Sequence, residues 1–181
     1  AGFSQFFDNT EVAQAVGAAV TTLVTNLLGD TVVQDAAGDA VAGIVTGYLS
    51  KSPIAVPVGQ AIGVAVEQFL ATAGVAADLG AIIGGLMPDF LSQTGVPDGL
   101  GSALGQFAVA LVQGEDRKDA TTILVDDLKS NPDIVAAVKV TIADALDEVD
   151  TTMLSDSTIQ QSFGAITSDL IISLAGDPEI Q

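Results

Sequence analysis

The chain has 181 residues, 49% of them apolar, with a mean hydropathy of +0.53, yet 23 acidic residues face five basic ones and leave a net charge of −18. So much apolar content excludes disorder, and so little basic charge excludes docking onto nucleic acid or, by electrostatics, onto an anionic membrane. There is no Cys, His or Trp, which removes disulfides, thiolate metal sites, cysteine nucleophiles and imidazole bases.

Phe3, Phe6 and Phe7 crowd the start of the chain. A segment this apolar docks on its own domain or seats in a neighbour's groove. A five-residue phrase then opens, NTEVA (9–13), and it returns as DTVVQ (30–34), NPDIV (131–135), DSTIQ (156–160) and DPEIQ (177–181). It reads as a helix start. Asp or Asn is the N-cap, Thr, Ser or Pro stands at N1, and Glu11 or Asp133 at N2 favours the positive end of the helix dipole. Behind four of the caps, apolar residues fall at nearly constant offsets. Offset +3 holds Val12, Val33, Ile134 and Ile159, and offset +7 holds Val16, Ala37, Val138 and Phe163. Offset +14 holds Leu23, Ile44, Ala145 and Leu170, and offset +18 holds Leu27, Tyr48, Val149 and Leu174. These spacings predict one apolar stripe along a helix.

Asn9 to Asp30 is 21 residues, and so is Asp156 to Asp177. Each module is therefore a helix of about five turns, closed by Gly at C′ in LLGD (27–30) and LAGD (174–177). The modules are placed at 9–29, 30–50, 131–150 and 156–176. Between them lies a more apolar part, 54–113, with no basic residue from Lys51 to Arg117. There SPIAVP (52–57) reads as a break, Val58 to Ala71 as a helix, and Ala76 to Leu86 as a second that stops before Pro88. TGVPDG (94–99) reads as a loop and Leu100 to Val112 as a third helix. After the polar hinge GEDRKD (114–119), Ala120 to Lys129 forms a short charged helix. No alternating strand pattern occurs, so the chain is expected to be all-α: one domain over 1–181, a compact bundle of eight or nine helices with a Gly/Ala-rich central layer.

Three GxxxG phrases lie in the middle: Gly59 with Gly63, Gly80 with Gly84, and Gly101 with Gly105. Glycines four apart share a face and let another backbone approach closely. A span needs about 20 apolar residues, and these helices are shorter and interrupted by Glu67, Asp78 and prolines. Buried packing is therefore favoured over membrane insertion of 54–112.

Candidate chemistry is sparse. Asp144 and Asp147, or Asp147 and Asp150, share a helix face and could hold a hard cation with water, but no D-x-D-x-D-G loop accompanies them, and a solvated acidic face is the favoured reading. GLGSALG (99–105) has no following Lys and no phosphate-loop spacing. Serine catalysis lacks its sequence signatures and a His, and one Tyr without Trp leaves no aromatic platform for sugars. No catalytic, cofactor or metal residue is assigned, and an enzyme is not expected.

DTVVQDAAGDAVAGIV (30–45) and DNTEVAQAVGAAVTTLV (8–24) alternate acidic caps with Ala/Val/Gly-rich helices. In this cadence the chain resembles secreted or surface proteins of mycobacteria and related actinobacteria. It resembles more distantly the helical repeat domains of spider wrapping silk, but departs from their serine-rich, nearly neutral composition with 11 Ser and a charge of −18. The chain opens on Ala1 without a leader, the form of a mature exported protein, so a place outside the cell or in its envelope is expected. Three roles follow: a structural protein that self-associates through apolar helix faces, a carrier of an apolar lipid-like ligand, or a membrane-inserting protein. The first is preferred, with Phe3, Phe6, Phe7 and the terminal phrase Asp177, Pro178, Glu179, Ile180 and Gln181 as candidate contacts, since that phrase is a cap without its helix.

Overall fold

A computed structural model describes residues 2–178 and Ile180, with side chains from Ser4 onward. Among the described residues the chain is all-α. In order the helices are α1 (Gly2–Phe7), α2 (Thr10–Leu28), α3 (Thr31–Tyr48), α4 (Ala55–Ala71), α5 (Val75–Gly85), α6 (Met87–Ser92), α7 (Val96–Val112), α8 (Arg117–Ser130), α9 (Pro132–Glu148) and α10 (Ser157–Gly176), with a π-helical turn at Val149–Met153. Eight of the ten α-helices have 11 residues or more, in line with the expected eight or nine.

The phrase does what its chemistry predicts. Asn9 Oδ1 accepts from the N–H groups of Glu11 and Val12, Asp30 from Val32, Asn131 from Asp133 and Ile134, and Asp156 from Thr158 and Ile159. Asp116, read above as hinge, is a fifth such cap, accepting from Lys118 and Asp119 and starting α8 at Arg117. The proline phrases are also starts rather than breaks. Pro57 lies in the first turn of α4 and Pro97 in that of α7, where a missing N–H costs nothing. Pro88 likewise opens α6, a helix the sequence reading lacked. The Gly C-caps are not as expected. Gly29 and Gly176 keep ordinary φ, and the left-handed glycines are Gly74, Gly95 and Gly114.

The chain forms two compact units, one of residues 1–21 and 82–148, the other of 22–81 and 149–181. In the first, Ala13, Leu91, Val96 and Ala137 make a buried cluster, with Phe7, Val16, Phe90 and Leu100 packed on it. Here α2 meets α5 at glycine: a Cβ on Gly17 would stand 2.6 Å from the Gly84 carbonyl oxygen. The NPDIV phrase seats on the start of α7, with Asp133 over Gly95 and Ile134 and Asn131 against Gly99.

In the second unit α3 and α4 are paired by the same device. A Cβ on Gly38 would lie 2.8 Å from the Gly63 oxygen, one on Gly63 2.6 Å from the Gly38 oxygen, and one on Gly59 2.7 Å from the Ala42 oxygen. Buried Gln34 joins three helix ends by donating to the Leu28 carbonyl at 2.7 Å and the Leu70 carbonyl at 3.3 Å. Gln160 repeats the first of these bonds, donating to Leu154 at 2.8 Å. The last letter of DTVVQ and DSTIQ thus ties a helix start to the turn before its cap. Beyond α4 lies α10, with Phe69 and Phe163 edge to face at 6.2 Å.

These contacts show that the 21-residue step runs through the middle as well. Gly17, Gly38, Gly59, Gly80 and Gly101 follow one another at that interval, and so do Gly63, Gly84 and Gly105. Left-handed Gly74 and Gly95 stand one step apart, each followed by a wholly buried valine, Val75 and Val96.

On the first two modules the predicted stripe is not the buried face. On α2 and α3 the inward residues are Ala13, Gly17, Gln34 and Gly38. Val12, Val16 and Val33 are half-buried, while Leu23 and Leu27 are 63% and 50% exposed and Ile44 and Tyr48 are 71% and 90% exposed. A face of Gly and Ala admits the neighbouring backbone, whereas one of Leu and Ile would hold it away. The larger side chains are therefore turned outward.

Gly63→Val should lower stability by about 2 kcal/mol or more, because a side chain forced onto a facing carbonyl drives helices apart. Gly164, whose added Cβ would meet nothing within 4 Å, is the control. Gly164→Ala should stabilise by up to about 1 kcal/mol from helix propensity alone. Urea unfolding of both variants checks the pair of signs.

Candidate functional site

The residues proposed for self-association fall into different units. Phe7 is half-buried and rests on the first unit's core, while Phe6 meets it edge to face at 5.4 Å and stays exposed. The N-terminal turn thus docks on its own unit. The Phe3 side chain lies outside the described residues, as do Glu179 and Gln181. Asp177 is the C-cap of α10, its N–H bonded to the Leu174 carbonyl. The Ile180 N–H then bonds to the Asp177 carbonyl at 3.1 Å, the same first turn that Val33 makes with Asp30 at 3.1 Å. Pro178 is exposed and Ile180 half-buried.

Of the GxxxG glycines, Gly59, Gly63 and Gly84 lie at the close contacts described above, and Gly80 is buried. Gly105 does not take part in close packing: a Cβ there would meet nothing within 4 Å, and with Gly101 it lines an open groove instead. Gly17 and Gly38, the partners of Gly84 and Gly63, were missed. Their signal in the sequence is the common 21-residue step.

Three grooves are formed within the units. One, of about 410 Å³, lies along α7 and is bordered by Gly101, Gln106, Val109, Gln113 and Ile123. A second, of about 310 Å³, runs between Phe7, Thr10, Pro88 and Ser92. The third, of about 290 Å³, separates α4 from α10 between Ala61, Val64 and Gln68 on one side and Leu170 and Ser173 on the other. All three are open to solvent along one side. Among the described residues no three carboxylates converge as a cation site.

What the described surface does carry is apolar side chains. Nineteen large ones are exposed, among them Val138, Ile142 and Leu146 in successive turns of α9, while Met153, Ile159, Val75 and Val96 are the largest that are wholly buried. No protein-family model matches the chain, and no curated protein or solved structure does either.

One carboxylate is electrostatically distinct. The N–H groups of Ile159 and Thr158 hold the Asp156 carboxyl below its ordinary value of 3.8. A folded-state pKa below the unfolded one means that the stabilisation is complete above the unfolded value and is lost as pH falls through the folded one. Asp156→Asn keeps the accepting oxygen and removes the titration. Its stability should match the parent at neutral pH and exceed it below about pH 4, where unperturbed carboxylates protonate. Urea unfolding of both proteins from neutral to acidic pH measures the difference.

Proposed function

We propose that the chain is a non-enzymatic structural protein that associates with further copies of itself through apolar helix faces. The observation that supports this is the inversion of the first two modules, with Ala13, Gly17 and Gly38 turned inward and Leu23, Leu27, Ile44 and Tyr48 outward. Leaving such side chains in water costs about 25 cal/mol for each Å² of apolar surface, and a second apolar surface removes that cost. The charge opposes association at long range and sets its conditions. A net charge of −18 repels like molecules over a Debye length of about 30 Å at 0.01 M salt, but only about 3 Å at 1 M.

Multi-angle light scattering should therefore show a mass near the 18.1 kDa monomer at low salt and a multiple of it at high salt. A protein that stays monomeric at high concentration in 1 M salt, a condition chosen for its short Debye length, would remove this reading.

Membrane insertion is a second reading with an observation of its own. Thr10–Leu28 and Val75–Ser92 are long and apolar enough to cross a membrane, and little of either is buried. Only the second lies within 54–112; the helices Ala55–Ala71 and Val96–Val112 are shorter. Glu11 at one end and Asp78 and Asp89 within the other weigh against it. Dye release from phosphatidylcholine vesicles should stay at background from pH 7 to about 4, a range that reaches unperturbed carboxylate pKa values.

A further inference from the structure

The 21-residue step shows what one helix face receives, because that face recurs on successive helices. Gly59 and Gly63 on α4 recur as Gly80 and Gly84 on α5, and again as Gly101 and Gly105 on α7. On α4 and α5 the face receives a module helix. α3 lies on α4 with Gly38 over Gly63 and Ala42 over Gly59, and α2 lies on α5 with Gly17 and Thr21 over Gly84. Later residues of α3 meet earlier residues of α4, so that pair is antiparallel. Gly59, Gly63, Gly80 and Gly84 are all buried. On α7 the same face is open. Gly101 and Gly105 are only half-buried, and a Cβ on Gly105 would meet nothing within 4 Å. The groove of about 410 Å³ runs past both glycines to Val109 and Ile123.

α1 fixes the direction and reach of an occupant. It ends at Phe7, 21 residues before α2 ends at Leu28, and its six residues correspond to the last six of α2. It packs on α7, with Phe7 on the cluster that contains Val96. The corresponding end of α3 takes that place on α4, where Thr46 donates to the Ala55 carbonyl at 3.3 Å. α1 thus covers the first turns of α7, and the glycine face beyond it stays open. We infer that this groove is the seat of one further helix of the module type, supplied by a partner, antiparallel to α7 and ending against α1. The seated examples set its chemistry: a glycine over Gly105 and, four residues on, a residue no larger than threonine, so that the backbones meet. Two exposed stretches of this chain have that spacing, and neither suits the seat. Gly43 and Gly47 on α3 follow Asp39, which stands one turn before Gly43 on the same face and would lie on Val109. Gly164 and Ser168 on α10 are followed by two more turns of helix, which in this register would fall where α1 lies. The inference goes beyond the assembly reading and does not depend on it.

Joining a copy of residues 9–21 ahead of Ala1 tests the seat in the whole chain. By the register of the other pairs it sets a glycine over Gly105 and a threonine over Gly101. The tether raises the effective concentration of a helix too short to hold by itself. The urea midpoint should rise above that of the parent, and Gly105→Val should cancel the rise. In the parent, Gly105→Val should not lower the midpoint, since the added Cβ has open space and valine is no worse than glycine in a helix. A midpoint that does not rise, or a rise that survives Gly105→Val, overturns the inference. Light scattering separates the occupants. If Gly105→Val stops the parent from growing in mass at high salt, a second copy fills the groove and the partner helix is overturned. Unaltered growth in that variant, together with the cancelled rise, supports it.

Discussion

Helix pairs in this protein are set by contact between backbones. At Gly38 and Gly63 each helix presents a carbonyl oxygen where the other would carry a Cβ, and Gly17 with Gly84 repeats the arrangement in the other unit. Helices this close exclude large side chains from between them. The interior positions fall to Gly, Ala and Thr, as at Ala42 and Thr46 against Gly59. A pair gains dispersion contacts along its length but hides little of the Leu, Val and Ile in its sequence. That is the inverse of an ordinary amphipathic helix, whose large residues make the buried stripe.

The sequence discloses the helices and their caps because both depend on local chemistry. Asn9, Asp30, Asn131 and Asp156 are legible as caps since an Asx side chain at a helix start has one good use. It does not disclose which face is buried. Hydrophobic periodicity treats size as a proxy for burial, yet Leu23, Ile44, Leu27 and Tyr48, all on the apolar stripe, are exposed side chains. The proxy works for Ile134 and Ile159, which are buried, because those helix starts dock against neighbouring elements. Pro57 reads as part of a break, Pro88 as a helix stop and Pro97 as part of a loop because proline ends a helix from inside and begins one from its first turn, and the residue alone does not say which. The period of the middle modules was hidden for a similar reason. Their cap positions hold Lys51, Thr72 and Gln93, so a search by caps loses a register that the glycines keep. The candidate contacts at Phe6 and Phe7 were visible as apolar residues near a terminus, but whether such residues dock at home or abroad depends on what lies beside them. For Phe7 it is the cluster around Leu91 and Val96.

The recurring phrase has more content than a cap. Its Asp or Asn starts the helix, its fourth residue is buried in Ile134 and Ile159, and its Gln reaches back across the cap in Gln34 and Gln160. The fifth letter orients a helix against the one before it, a task a cap alone does not perform. Where the fifth letter is Ala13 or Val135 that bond is missing, and the helix start is placed by packing instead. In NPDIV the load passes to Asp133 and Ile134 on the glycines of α7. The phrase is thus a joint with two designs, one polar and one packed.

Charge and inverted packing are consequences of one another. A helix pair that turns Leu and Ile outward is soluble only if something keeps like molecules apart, and 23 carboxylates against five basic residues do so. Neutralising them would not turn these faces inward, because the seams between the glycine-paired helices have room only for small side chains. Adding apolar bulk inside would not permit fewer carboxylates either, because it would separate the helices that define the fold. The two features therefore vary together, and the distribution of carboxylates becomes the code for contact. Wherever an apolar face is flanked by acids, as along α9 near Asp144, Asp147 and Glu148, a like molecule is repelled.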